Sequence, residues 1–422
     1  MGSNRAATSE LSSFNQPQIR LSPSNPTSTP PAQKHVPTMA YLLGYKGSTV
    51  SPSVAAPYLT WAANPSESNL AQVKAAKLKA YVYTDGVVQY PCPGCSHLWT
   101  PLQAQPQYVA RDCAGEVLQN GAGEIVDVTK SGWHALWVGE VENEYAKVAP
   151  SSWDAVFADD SAAPHFEGFV PCGTTASTFT AAIYKMLAAT RRPVIFNGLS
   201  VSAKQPEERT LYAVPNVIGG MRETCYGGSS AFGFARDFVV TTEQHFYGAP
   251  NDEWTQTEDD QLYAARLGKL FVCLSNAADQ GASATGARTY VYASFLLTYD
   301  PRTSILFEEF APTRPGGLTV YPETGLVPTH PLRSQPMKVA SLARGGVYVR
   351  EYDSCFYRGS YVGRCAAVVN PSGALQTYPL GSRYQHTLVL NGGGVLEGGV
   401  ASTSGPAPKT FVEADSAIIA IQ

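Results

Sequence analysis

Six polar side chains stand where short apolar runs of this sequence end. They are Asp85 in KAYVYTDG, Asp127 in EIVDVTK, Asp159 and Asp160 in WDAVFADD, Asn197 in PVIFNG and Glu223 in GGMRETCYG. Five of the six are carboxylates, in a chain with only 15% charged residues. A carboxylate carried out of an apolar strand is oriented and partly stripped of water, so it can stabilise or attack a developing cation or move a proton. Asp159 and Asp160 are the sharpest feature. Side chains alternate along a strand, so only one of the two is expected to enter a cavity at its tip, and the other is left to cap a helix. Glu223 comes two strands later, about a quarter turn around a closed barrel of eight strands. Two acids facing each other across such a hollow suit an oxocarbenium-like transition state, one as acid/base and one as nucleophile or base.

Lesser candidates surround these three. Arg222 can pair with Glu223 or with a neighbouring carboxylate, and Gly219 and Gly220 permit a close approach or a bulge. Asp127 can bind a substrate hydroxyl or cap the helix beginning near Ser131, and Asp85 can bind substrate or serve the turn at Gly86. Asn197 is a further substrate-binding candidate, and Trp61, Tyr83 and Tyr226 are candidate stacking platforms near strand ends. Glu140, Glu142 and Glu144 read as a solvated helix face. The seven histidines have no metal-binding spacing, and GLSVS lacks the second glycine of a nucleophile elbow. No metal and no cofactor are expected.

The elements that must position these residues alternate between short apolar runs and amphipathic stretches. Strands are expected at 79–86, 124–130, 153–160, 193–198, 217–227, 270–276 and 303–310, with helices at 62–78, 131–148, 174–192 and 259–269. Either 39–45 or 57–63 completes eight strands over about 270 residues, near the usual size of a (β/α)8 TIM barrel. After about 335, short strands separated by Gly, Pro and Ser predict a small all-β sandwich. The expected division is a tail over 1–37, a catalytic barrel over 38–335 and the β-domain over 336–422.

The totals exclude several function classes. A net charge of -4 offers no field for nucleic acid, and no apolar run is long enough to span a membrane. Sparse charge beside 23 Tyr and 6 Trp suits sugar ligands as well as an aromatic core. The even count of 8 cysteines points to an oxidising compartment, secreted or periplasmic, although MGSN and the polar residues after it show no signal peptide. Cys355 and Cys365 flank a turn and form a plausible hairpin staple. Cys113, Cys172, Cys225 and Cys273 then pair among themselves, with Cys92 and Cys95 in CPGC. The rival is a zinc site from Cys92, Cys95, His97 and Cys113, which lacks a second close ligand pair.

Taken together, the run from about 55 to 420 resembles the glycoside-hydrolase-like (β/α)8 proteins. AAKLKAYVYTDG is similar to their second strand, IVDVTKSGWHALW to the segment after it and WDAVFADD to their fourth strand. TVYPETGLVPTHPL resembles a stretch beyond their barrel, and GGVYVREYDSCFYRGSYVGRCAAVVNPSG the opening of their β-domain. In relatives of dextranase type, an acid ending the fourth strand is the nucleophile and a Glu ending the sixth is the acid/base. The resemblance therefore implies Asp159 as nucleophile, preferred over Asp160 because it follows the apolar run directly, and Glu223 as acid/base. It implies hydrolysis of an α-linked polysaccharide or oligosaccharide, by retention in preference to inversion. A non-catalytic carbohydrate-binding protein and a transglycosylase are the alternatives. Oligomeric state is not readable from the sequence.

Overall fold

The computed structural model describes residues 33–43, 50–91, 96–148, 152–161, 170–199, 206–223, 225–226, 252–275, 284–308, 320–390, 402–406, 411–413 and 416–422. All of them lie in one compact unit, Ala32–Gln422. Residues 33–37, expected to be tail, belong to the fold: Val36 is buried, and its amide donates to the Thr324 carbonyl at 2.8 Å.

In chain order the first strands are β1 (Met39–Tyr41), β2 (Trp61–Ala63), β3 (Lys79–Asp85), β4 (Val88–Gln89), β5 (Gln119–Asn120) and β6 (Gly123–Ile125). They are followed by β7 (Ala155–Asp159), β8 (Val194–Asn197), β9 (Val217–Arg222), β10 (Leu270–Ser275) and β11 (Ser304–Glu308). Eight of these form one parallel sheet in the order β1-β2-β3-β7-β8-β9-β10-β11. A parallel bridge between Thr38 and Leu306 joins its ends, and the Leu306 amide donates to the Pro37 carbonyl at 3.0 Å. This is a (β/α)8 barrel. Its outer layer includes helices α1 (Pro52–Ala55), α2 (Glu67–Ala75), α4 (Ser131–Ala146), α5 (Ala176–Ala189), α6 (Asp252–Leu267) and α7 (Ala284–Leu297), while the short α3 (Trp99–Ala104) falls between β4 and β5. A 3-10 helix, Pro206–Ala213, takes the place of an α-helix between β8 and β9.

Two strand expectations change. Both 39–45 and 57–63 contribute barrel strands, whereas 124–130 contributes none. Gly123–Ile125 instead pairs antiparallel with Val88–Gln89 and Gln119–Asn120, in a three-stranded excursion between β3 and α4. The exchange leaves the count at eight, with β7 still fourth and β9 still sixth. However, β3 becomes the third strand and pairs directly with β7, from Tyr81↔Ala155 to Asp85↔Asp159.

Alternation divides the barrel's side chains. Trp61, Tyr81, Phe157, Ile195, Met221 and Leu274 fill the interior, while Val156, Val194 and Phe271 face the larger core beneath the helices. Helix α5 shows the matching outer pattern, burying Phe179, Ile183, Met186 and Leu187 at helical spacing. Its first turn is capped by Thr175, whose hydroxyl accepts from the Thr178 amide at 3.1 Å.

Beyond the barrel come β12 (Leu326–Pro331), β13 (Ala343–Arg344), β14 (Val347–Tyr357), β15 (Ser360–Asn370), β16 (Gln376–Thr377), β17 (His386–Leu390), β18 (Ser402–Pro406), β19 (Phe411–Val412) and β20 (Ser416–Ile421). The expected sandwich takes the form of one seven-stranded sheet plus a two-stranded ribbon, β16-β19. Val347, Val349, Val368 and Val412 pack together between sheet and ribbon. On the barrel side, the Tyr292 hydroxyl of α7 donates to the Leu326 carbonyl at 2.6 Å, and Tyr352 of β14 donates to Leu296 of α7. Arg288 of α7 forms a buried, two-pronged ion pair with Glu323, at 2.7 and 2.5 Å.

Three disulfides are described: Cys113–Cys172, Cys225–Cys273 and Cys355–Cys365. They are compatible with an extracellular or periplasmic protein. Cys113 is thereby removed from the zinc alternative, and the CPGC pair lies outside the described residues. No helix among the described residues is long and apolar enough to cross a membrane.

Candidate active site

The parity that fills the barrel interior also selects the residues at its mouth. Tyr81, Tyr83 and Asp85 share one face of β3, as do Ala155, Phe157 and Asp159 on β7 and Ile195 and Asn197 on β8. Met221 and Glu223 continue the series at the end of β9. Interior packing therefore carries Asp85, Asp159, Asn197 and Glu223 to one end, where the C-terminal tips of barrel strands meet.

Asn197 is the hub. Its side-chain nitrogen donates to Asp159 Oδ1 at 2.6 Å and to Glu223 Oε2 at 2.9 Å, one hydrogen for each acid. These two oxygens are thus separated by no more than the sum of the distances, about 5.5 Å. Asn197 is buried, whereas Glu223 is exposed. Asp159 also accepts from the Tyr83 hydroxyl at 2.5 Å and from the Asp160 backbone amide at 2.9 Å. All three neighbours are donors, the set a carboxylate anion accepts.

Asp85 and Asp160 complete the group. Oxygens of Asp85, Asp159 and Asp160 all lie within 4.8 Å of one another. Alternation would turn Asp160 away from the mouth. Its left-handed backbone, with φ +48°, instead brings it back to the other acids, where it accepts from the Tyr90 hydroxyl at 3.0 Å. Among the described residues the next helix, α5, begins only at Ala176, and its cap is Thr175. Burial, and then the charges of Asp159, Glu223 and Asp85, push its carboxyl well above the ordinary range. Asp85 Oδ1 lies 2.8 Å from the Tyr83 hydroxyl oxygen, and Asp85 Oδ2 accepts from the Ser96 hydroxyl. Burial and the nearby Asp159 raise it to about 7, against the opposing effect of those hydrogen bonds. The Tyr83 phenol is pushed upward by burial and by Asp159 and Asp85.

The other candidates are placed elsewhere. Asp127 lies in the excursion and is held by its own turn, accepting from the Thr129 amide at 3.1 Å and hydroxyl at 2.5 Å. Trp61 is the first residue of β2, at the opposite end of that strand from its tip, and is buried in the barrel interior. Tyr226 is buried with its hydroxyl donating to Gln261 at 2.9 Å. Neither aromatic presents a ring face to a ligand at the mouth. Tyr83 acts here through its hydroxyl, its ring lying against Phe157 at 6.0 Å. Arg222 has the opposite parity to Glu223 and binds Asp260 of α6, at 2.8 Å in the core. Gly219 and Gly220 accommodate protein neighbours, because an added Cβ would meet Leu270 and Phe196, each at 2.6 Å.

Of the glutamates of α4, Glu142 stays partly exposed, as a solvated face requires, whereas Glu140 and Glu144 are largely covered. Glu142 binds Arg192, while Glu140 and Glu144 flank His97 at 2.7 and 3.3 Å and raise it to about 10. Sequence reading missed Ser96 and Tyr90, which reach the acids from the loop side. No motif marks either residue.

No protein-family model matches the chain, and no curated protein matches it by sequence. Solved structures with a similar course include the glycoside hydrolase domain of a PelA variant from Pseudomonas aeruginosa, at 10% identity over 67% of this chain and 97% of that one, TM-score 0.43. The galactosidase domain of an alpha-galactosidase-sucrose kinase aligns at 10% identity over 92% of this chain and 54% of that one, TM-score 0.44. A pullulanase from Bacillus acidopullulyticus aligns at 12% identity over 84% and 48%, TM-score 0.40.

Proposed function

We propose that this protein hydrolyses a glycosidic bond in a polysaccharide or oligosaccharide with retention of configuration, Asp159 serving as nucleophile and Glu223 as acid/base. The observation that carries this reading is the single amide of Asn197 between the two acids, at 2.6 and 2.9 Å. The two oxygens it bonds lie no more than about 5.5 Å apart, which supports the closer pairing of retaining enzymes over the wider gap that inverting enzymes keep for a water. In the first step an Asp159 oxygen bonds to the anomeric carbon while the bond to the leaving oxygen breaks. Glu223 gives that oxygen its proton. In the second step Glu223 takes a proton from water, whose oxygen displaces Asp159 and regenerates the free carboxylate. Glu223 is exposed and so in exchange with solvent, while the donors around Asp159 fix its direction of attack. An α-linkage is the expectation carried by the sequence resemblance.

A polysaccharide panel with product sizing tests this. Asp159→Asn and Glu223→Gln should each lower turnover by at least about a hundredfold. Sugar binding without turnover by the unaltered protein would replace hydrolysis with a binding role. Products carrying an added acceptor sugar would identify a transglycosylase.

A further inference from the structure

The Tyr83 hydroxyl has one proton and two carboxyl neighbours. Its oxygen lies 2.5 Å from Asp159 Oδ2 and 2.8 Å from Asp85 Oδ1. With both acids ionised, one of these contacts would set two lone-pair-bearing oxygens against each other in a buried place. The shorter contact claims the phenolic proton for Asp159. A second proton, on Asp85 Oδ1 and donated to the Tyr83 oxygen, satisfies the other contact. Asp85 Oδ2 then accepts from Ser96, so each oxygen of the acid is used once.

We propose that Asp85 is held as a neutral carboxylic acid, a positioning residue that donates to Tyr83 and strengthens the donation of Tyr83 to Asp159. The catalytic consequence rests on the assignment of Asp159 as nucleophile, whereas the proton on Asp85 does not. A donor that is itself accepting a hydrogen bond is polarised and donates more strongly. The surroundings keep that proton in place. Asp85 is 4% exposed and faces Tyr83 from its own strand, Asp159 and Asp160 from β7 and its turn, Ser96 and His97 from the loop before α3, and Tyr90 beyond β4. Burial and Asp159 hold its carboxyl at about 7. Above that pH the proton leaves for bulk water. A second anion then stands beside Asp159 and competes for the phenolic hydrogen.

Two measurements on the full chain test this. In carbon-13 NMR with labelled aspartate, one side-chain carboxyl signal should titrate near pH 7 and vanish in Asp85→Asn. A signal for Asp85 that titrates below about pH 5, in the ordinary aspartate range, would overturn the proposal whether or not the protein turns over sugars. The second measurement is the pH profile of kcat. Asparagine can donate to Tyr83 and accept from Ser96, so Asp85→Asn should keep acid-side turnover and lose the decline near pH 7. Asp85→Ala and Tyr83→Phe should each cost about tenfold or more, with no further loss when combined. Additive losses, or an unchanged pH profile in Asp85→Asn, would refute the chain of donation while leaving hydrolysis by Asp159 and Glu223 in place.

Discussion

Replacing Gly86 by alanine would put a methyl group where two loops of the barrel mouth already touch. The added Cβ would lie 2.3 Å from Ser161 Oγ, 2.9 Å from the Asp159 carbonyl oxygen and 3.4 Å from Ser161 Cβ. Gly86 is not among the residues with left-handed φ, so the cost comes from contact and not from backbone strain. The Ser161 hydroxyl can rotate away, giving up its 3.3 Å approach to the Asp159 carbonyl. The carbonyl cannot yield so easily, because the Gly86 amide donates to it at 2.7 Å and it belongs to the last residue of β7. Overpacking of this kind costs about 1–3 kcal/mol, and a displaced buried hydroxyl adds about 1 kcal/mol. Gly86→Ala should therefore destabilise by roughly 2–4 kcal/mol in urea unfolding, and by about 1 kcal/mol less when Ser161→Ala is already present. The residual displacement falls on Asp159, so turnover should suffer even in the double variant. A neutral Gly86→Ala, or a cost unaffected by Ser161→Ala, would show that the loops do not meet as described.

Two further outcomes concern stability. Because Asp85 is raised from 3.8 to about 7, the folded protein keeps a proton that the unfolded chain has lost between those pH values. Its stability therefore falls as pH rises through that window and levels off above it. Asp85→Asn should improve relative to the parent by as much as ~4 kcal/mol from pH 4 to pH 8 in urea denaturation, and a pH-independent difference would contradict the assignment. Glu323→Gln should cost about 3–5 kcal/mol, because Arg288 is left charged and buried. Thermal unfolding with less than about 1 kcal/mol of loss would mean that the pair is hydrated.

Much of the site is written in period-two patterns, and its failures have local causes. The runs 155–159, 193–197 and 217–223 are apolar long enough for alternation to fix which side chain reaches the mouth. That is why Asp159, Asn197 and Glu223 meet. The three-residue strands at 39–41 and 61–63 carry no readable period, and their partners alone make them strands. In the same way, the apolar-rich run at 124–128 looks like a barrel strand, but its start pairs antiparallel within the excursion. Trp61 stands at the far end from the mouth because β2 begins at it. Asp160 escaped alternation through a left-handed turn, and Glu144 is paired through His97, a loop residue far away in sequence.

The Asn197 amide has a consequence for redesign. One small group on β8 donates to an acid on each side, so a shift of that group changes the position of both oxygens together. Under the proposed mechanism, interior substitutions at Phe157 or Ile195, one turn of the alternation below Asp159 and Asn197, would reshape the floor of the barrel and with it the sugar rings admitted. On that reading, selectivity and reaction outcome are adjusted at different positions.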